Sequence, residues 1–337
     1  MHILGIETSC DECSVAVVTD GRNVLSNIVA SQIEIHKPYM GVVPEIASRT
    51  HIKWINGVVK AALSEAKVSL DEICGIAVTN RPGLSGSLLT GLSFAKGLSF
   101  ASEKPFIAVD HIFAHIYAAH LENEINYPYL GLLVSGGHTI IAIIKSYDNM
   151  QVLGTTIDDA CGEAFDKVAK FYNLGFPGGV VIDKLSKQGN PNAFSFPDPS
   201  LHKGEHQYDV SYSGLKTAVI NQLDQFLNKG YEKTNENIAA SFQKTAIDML
   251  IKRLLKAVEN TGIKTVVTGG GVAANSYLRK SLSDINGITV YSPSLKLCGD
   301  NGAMIAGLGY HYLKNNIKSG LETTVLSRVS AFRKNYP

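Results

Sequence analysis

Net charge is almost missing from this chain: its 337 residues carry 31 Lys and Arg against 30 Asp and Glu, a formal +1. Such a chain has no global basic field for nucleic acid, so any RNA contact needs a local patch or a partner protein. Also missing is any run of 18 apolar residues, and no membrane span is expected. The opening "MHILGIETSCDECSVAVV" has no basic leader, and Glu7 and Asp11 interrupt its apolar run, so it does not read as a signal peptide. Five cysteines, an odd number without a disulfide framework, fit a reducing cytosol, and the expected location is cytoplasmic. Cys10 and Cys13 form a single C-x-x-C. A zinc knuckle wants a second pair, and a thioredoxin-type pair opens a helix, whereas this one runs into the strand-like "SVAVV". Structural cysteines in a turn are the favoured reading. No Walker A motif occurs: "SGLKT" (213–217) lacks the upstream glycine, and "GLSGSLLTG" is too irregular for a dinucleotide fingerprint.

What is present is a large apolar fraction, 45%, in an α/β pattern long enough for two domains. "HILGIE" (2–7) and "CSVAVVT" (13–19) read as strands around a polar turn. Helical periodicity covers 45–67. The strand "CGIAVTN" (74–80) leads through "RPGLSGS" into a small-residue helix ending near Ser102, and "PFIAVDH" is a further strand. "YLGLLVS" (129–135), "TIIAIIK" (139–145) and "VLGTTI" are three more. Helices are expected at 162–172, 178–188, 213–228, 236–261, 273–284 and 300–315. The segment 190–212 has three prolines and weak periodicity, and loops this long are functional or disordered. It is the expected lid or RNA-facing element. The basic tail 328–337 reads as RNA-facing or as a solvated end.

An internal repeat organises this map. "LGIETSCDECSVAVV" and "LGLLVSGGHTIIAII" share one plan, a strand, a small polar turn and a second strand. Later in each half, "IAVTNRPGLSGS" and "TVVTGGGVAANS" carry a strand through glycines into a helix. The expectation is two copies of a strand–strand–strand–helix–strand–helix unit. Tight turns expose several backbone N–H groups in one direction and bind anions, and glycine permits close approach. Thr8–Glu12 and Ser135–Thr139 are two such turns. "TGGGVAAN" (268–275), opening a helix, suits a nucleotide.

"DHIFAHIYAAH" (110–120) holds three of the ten histidines. His111 and His115 are one helical turn apart and can share an ion, while His120 points elsewhere. The zinc-protease pattern H-E-x-x-H needs a glutamate where this chain has Ile112. Spacing alone leaves open a metal clamp and two ordinary helix histidines. Asp300, in "CGDNGAM", is likewise a helix N-cap or a third ligand.

Taken in order, "ETSCDE", "DHIFAHIYAAH", "LLVSGGHT", "GEAFDKVAK", "PGG", "SYSGLKTA", "GGGVAAN" and "CGDNGAMIA" closely resemble the bacterial TsaD family, once described as glycoproteases. The resemblance implies an α/β fold of two duplicated RNase-H-like lobes, of the actin, Hsp70 and sugar-kinase type, with a nucleotide cleft between them. The lobes are placed at 1–110 and 111–337, with 316–337 able to pack back on the first. The implied activity moves a threonylcarbamoyl group from threonylcarbamoyl-AMP to N6 of adenosine 37 in tRNAs reading codons that begin with A. His111, His115 and Asp300 match the family's ligands for one divalent metal, Fe(II) or Zn(II). Val134, Ser135, Gly136, Gly137 and His138 match its substrate loop, and Asp166, Gly179, Asp183 and Asn275 match further substrate contacts. Implied partners are tRNA, the inactive paralogue TsaB and the small ATPase TsaE, without a membrane. Asp11 and Glu12 are expected to position the attacking amine or take its proton, or else merely to form the turn. The metal and the Ser135–His138 N–H groups are expected to share the developing oxyanion. Cys13 stands where relatives often carry Thr, which puts a side-chain phosphate contact there in doubt. The competing readings are a metal-dependent protease, an ATP-dependent kinase of the same fold and a binding module without catalysis.

Overall fold

The computed structural model describes residues 1–199 and 204–329. The chain divides into two compact units, one made of residues 1–125 and 293–329, the other of residues 126–292. The boundary expected after residue 110 therefore lies further on, and the chain returns to the first unit earlier than residue 316. The reason is packing: the helix His111–Tyr117 and the helix Gly302–Lys314 both lie with the first sheet.

The first sheet contains β1 (His2–Glu7), β2 (Glu12–Thr19), β3 (Asn23–Ser31), β4 (Ile73–Arg81) and β5 (Phe106–Asp110), in the order β3-β2-β1-β4-β5. β1 is antiparallel to β2 and parallel to β4, and β4 is parallel to β5. The second sheet contains β6 (Tyr129–Val134), β7 (Thr139–Ser146), β8 (Asn149–Thr155), β9 (Thr265–Gly269) and β10 (Thr289–Tyr291). Its order, β8-β7-β6-β9-β10, repeats the first strand for strand, with the same senses of pairing where β6 meets β7 and β9 and where β9 meets β10. The expected duplication is real. The strand missed in the sequence is β3, an edge strand whose polar Asn and Ser blur the alternation.

Side-chain alternation explains how β1 is covered on both faces. Leu4 and Ile6 join Val15 and Val17 in a core with Ile55, Val58 and Val59 of the helix Pro44–Ala66. Gly5 faces the other way, where a Cβ would collide with the backbone of Gly302 and Ala306. Small residues at that crossing let the Gly302–Lys314 helix lie directly on the sheet.

In the second unit the helices Cys161–Phe171, Gly178–Ser186 and Asn235–Thr261 form where periodicity placed them. The helix expected at 213–228 stops at Asn221, followed by a short 3-10 turn Leu223–Gln225. Within the segment 190–212, Ala193, Phe194, Phe196, Val210 and Tyr212 belong to the hydrophobic core of this unit. Phe194 also bridges to Leu227, and Val210 to Thr156. The long loop is anchored by buried aromatics; its residues 200–203, and 330–337 of the basic tail, lie outside the described residues. Among the described residues no helix is long and apolar enough to cross a membrane.

Candidate metal centre and substrate loop

Because β1, β4 and β5 run parallel, their carboxyl ends share one edge of the first sheet, bringing together Glu7, Thr79 to Arg81 and Asp110. Ligand sites in open α/β sheets lie outside such ends. Asp110 caps the following helix, its Oδ1 accepting from the N–H groups of Ile112 (2.8 Å) and Phe113 (3.3 Å). Its Oδ2 meets Arg81 Nε at 3.0 Å. The His111–Tyr117 helix is buried at every position, so its histidines are not on a solvated face.

His111 and His115 stack edge to face, with ring centroids 4.4 Å apart. Asp300 Oδ1 lies 3.0 Å from His115 Nε2 and 3.7 Å from His111 Nε2. The cap of the Gly302–Lys314 helix is Asn301, whose Oδ1 accepts from Met304 N–H at 3.1 Å, and the Asp300 carboxylate is turned to the histidines. One ligand atom from each of the three residues falls within 4.8 Å of the others. Two imidazoles and a carboxylate at that spacing fit a single divalent ion.

Burial disfavours charge on His111, but the Glu7 and Asp300 carboxylates outweigh it and raise the imidazole to about 9. Glu7 would be raised by its complete burial, yet His111 brings it below the usual carboxylate range. His115 is lowered, by burial first and by neighbouring His111 second. Burial, then Asp300 and Asp11, push Glu12 up to about 9. A cation at the triad would relieve this crowding of negative charge.

The β1–β2 turn is held at its carbonyls. Ser9 O accepts from Leu84 N–H at 2.8 Å, and Asp11 O from Gln32 N–H at 3.2 Å. The carbonyl of Cys10 lies 2.8 Å from His51 Nε2. Asp11 is buried, and Glu12 accepts from Ser31 Oγ at 3.2 Å. Cys13 is wholly buried in the core of the first sheet, its thiol pushed up to about 12 by burial and by Glu7. A side chain at this position faces the core; Cys13 is the second residue of β2, so of the C-x-x-C pair only Cys10 lies in the turn. His120 stacks on Tyr117, away from the triad.

In the second unit β6 and β9 are parallel, so the loops leaving Val134 and Gly269 emerge at one edge. Val134 is buried at the strand end. Ser135 N–H donates to His138 O at 2.8 Å and Ser135 Oγ accepts from His138 N–H at 3.1 Å, closing the turn. Gly136 and Gly137 are exposed, with nothing within 4 Å of where a Cβ would stand. Asp166 Oδ1 accepts from Gly178 N–H at 2.7 Å, which ties the "PGG" turn to the Cys161–Phe171 helix. Gly179 is open, whereas a Cβ on Gly178 would stand 2.7 Å from Asp166 Cα. Asp183 Oδ1 accepts from the N–H (3.0 Å) and hydroxyl (2.7 Å) of Ser276. Asn275 caps the Ser276–Ser283 helix through Leu278 N–H and donates to Gln243 Oε1 at 2.7 Å. These polar groups shape the loop framework and leave Gly136, Gly137 and Gly179 open.

The triad and the loop residues thus occupy the carboxyl edges of the two sheets. Sequence reasoning overlooked Glu7, Thr79, His51 and Asn301. For Glu7 there was one signal, a carboxylate ending an otherwise apolar strand. The chain matches the family described as "TsaD: tRNA N6-adenosine threonylcarbamoyltransferase" over residues 23–307. It belongs to that family. A tRNA N6-adenosine threonylcarbamoyltransferase of Treponema denticola is 64% identical over 334 residues, covering 99% of both chains. The enzyme of that name from Borrelia garinii subsp. bavariensis is 53% identical over 337 residues, covering 100% of this chain and 99% of its own. Among solved structures, the (R)-2-hydroxyglutaryl-CoA dehydratase component A of Acidaminococcus fermentans superposes with a TM-score of 0.57 at 15% identity. That superposition covers 93% of this chain and 99% of the other, a likeness of fold. A member of the TsaD family is an acyltransferase, and its two repeated sheets are of the actin and Hsp70 type.

Proposed function

We propose that this protein transfers the threonylcarbamoyl group of threonylcarbamoyl-AMP to N6 of adenosine 37 in tRNAs reading codons that begin with A, and releases AMP. The observation that carries the reading beyond family membership is the Asp300 carboxylate. Freed from capping by Asn301, it is turned onto His115 and His111. The adenine amine is a poor nucleophile because its lone pair is delocalised into the ring, so the donor must be an activated anhydride. The C–N bond forms at the carbamoyl carbon, the C–O bond to phosphate breaks, and N6 gives up a proton. Orientation of the two reactants supplies much of the rate.

In the first unit His111, His115 and Asp300 hold one divalent ion, Fe(II) or Zn(II), which when bound supplies Lewis-acid polarisation. Asp11 and Glu12 position the amine or receive its proton. In the second unit the Ser135–His138 loop, with open Gly136 and Gly137, receives the donor. Gly179, with Asp166, Asp183 and Asn275 behind it, forms the rest of that surface. The protein works in the cytoplasm on tRNA with a TsaB-type paralogue and a TsaE-type ATPase. A protease is disfavoured by Ile112, a fully buried apolar residue where the hydrolytic base belongs.

The test is a transfer reaction with threonylcarbamoyl-AMP, unmodified tRNA and both partners, read by mass analysis of nucleosides after digestion. Threonylcarbamoyladenosine should form, and should vanish in a His111→Ala, His115→Ala double variant. AMP release without modified nucleoside would make the protein a hydrolase. An intact rate in Asp11→Ala or Glu12→Ala would remove that residue from the mechanism.

A further inference from the structure

Glu7 closes β1 with no solvent exposure, and each of its oxygens is in use. Oε1 accepts from Ser9 N–H. Oε2 accepts from Thr79 Oγ1 at 2.6 Å and meets His111 Nδ1 at 3.0 Å. Ser9 Oγ is 3.2 Å from the same nitrogen. Both oxygens of Glu7 already accept, from Ser9 N–H and from Thr79 Oγ1, so Glu7 faces His111 as an acceptor. The hydrogen between it and His111 therefore sits on Nδ1. In the neutral ring this leaves the lone pair on Nε2, the nitrogen facing Asp300. His115 has no such support, since its Nδ1 is buried without a hydrogen-bond partner among the described residues.

We infer that Glu7 is a positioning residue that fixes the Nδ1–H form of His111 and so makes Nε2 the metal-binding atom, with Thr79 and Ser9 holding Glu7 in place. The inference rests on the reading of His111, His115 and Asp300 as a metal clamp. It commits the pair of histidines to unequal roles. His111 is held from behind by a carboxylate, while His115 meets Asp300 at Nε2 and has no carboxylate behind it. A carboxylate behind a ligating imidazole orients the ring and strengthens the ligand.

The shape of the site makes Glu7→Gln a sharp probe. If the new amide oxygen keeps the Ser9 N–H bond, the amide nitrogen faces Thr79 and His111. It then donates to Nδ1 and drives the imidazole hydrogen onto Nε2, the atom needed by the metal. If the amide is reversed, its NH2 group is set against Ser9 N–H, two donors face to face in a buried place. Neither orientation reproduces the native pattern, although the volume is unchanged. Glu7→Asp retracts the carboxylate by one methylene and loses His111 while staying charged.

The experiment is a competition titration of Zn(II) against a chelator, on the full chain, at one fixed pH. The proteins compared are wild type, Glu7→Gln, Glu7→Asp and the His111→Ala, His115→Ala double variant. Loss of zinc affinity of about 10- to 100-fold is expected for Glu7→Gln, with loss of specific binding in the double variant. Imidazole nitrogen NMR of zinc-loaded wild type should place the hydrogen of His111 on Nδ1 and the metal on Nε2. That spectrum needs no variant, so the inference stays testable if Glu7→Gln does not fold. Unchanged affinity in Glu7→Gln, or zinc on Nδ1 in the wild type, overturns the role given to Glu7. Undiminished zinc binding in the double histidine variant overturns the clamp itself, a different failure.

Discussion

Gly178 and Gly179 are neighbours in one helix, and the structure assigns them opposite sensitivities to the same methyl group. A Cβ on Gly178 would stand 2.7 Å from Asp166 Cα, 2.7 Å from Phe165 O and 2.8 Å from Ala169 Cβ. All three belong to the Cys161–Phe171 helix, and two are backbone atoms that cannot rotate aside. Ordinary carbon contacts need about 3.5 Å or more, so the two helices must part by roughly 0.8 Å. Overpacking of this kind costs about 1–3 kcal/mol. The same displacement stretches the 2.7 Å bond from Gly178 N–H to the Asp166 carboxylate, and bonds to charged groups are each worth about 1.5–3 kcal/mol. The two losses come from one movement and do not simply add. Gly178→Ala should therefore destabilise the second unit by about 2–4 kcal/mol, lowering its melting transition by about 5–15 °C. A Cβ on Gly179 meets nothing within 4 Å, and its backbone is not in the left-handed region. Gly179→Ala should melt like wild type or slightly higher, since Ala is the better helix former. If this open face receives the donor, the methyl should raise KM for it by about tenfold, the equivalent of about 1.4 kcal/mol. Calorimetry and the transfer assay on the two variants decide the matter. Equal melting of both, or a Gly179→Ala enzyme with wild-type KM, would refute the division between packing and binding.

Three further outcomes are expected. Burial first, then His311 and Arg22, lower His120 to about 4 from the usual 6.5. The unfolded chain therefore binds this proton first as pH falls. Stability is intact above 6.5 and is lost progressively toward about 4, by about 3 kcal/mol in all. Urea midpoints across that window should show a flatter profile in His120→Phe. Asp110→Ala should cost about 1–2 kcal/mol in urea unfolding through the lost cap, and should weaken zinc binding by freeing the turn that carries His111. Asp110→Asn should keep most of the cap while losing the charge that pairs with Arg81. Among the cysteines, Cys74 is exposed whereas Cys13, Cys161 and Cys298 are buried. Alkylation of the native protein followed by peptide mapping should mark Cys74 first, and early modification of Cys13 would contradict its place in the core.

The sequence by itself determined the local elements and the repeat. Strand alternation and helical periodicity are written in neighbouring residues, and "HILGIE", "YLGLLV" and the helix at 236–261 formed where they were read. The H-x-x-x-H spacing is local too, because a helix turn fixes it whatever surrounds it. The edge strand Asn23–Ser31 escaped because it is buried at a single position and its Asn and Ser residues blur the alternation. Only the tertiary structure shows that Asn301 takes the cap and that the Asp300 carboxylate is turned to His115. Only it revealed Glu7 behind His111, across 104 positions of chain. It also carried the His111 helix and the Gly302–Lys314 helix into the first unit, and drew the aromatics of 190–212 into the second core. The physical reason is sheet order. Parallel pairing of β1, β4 and β5 brings three distant strand ends to one edge, and no local pattern records which strands pair.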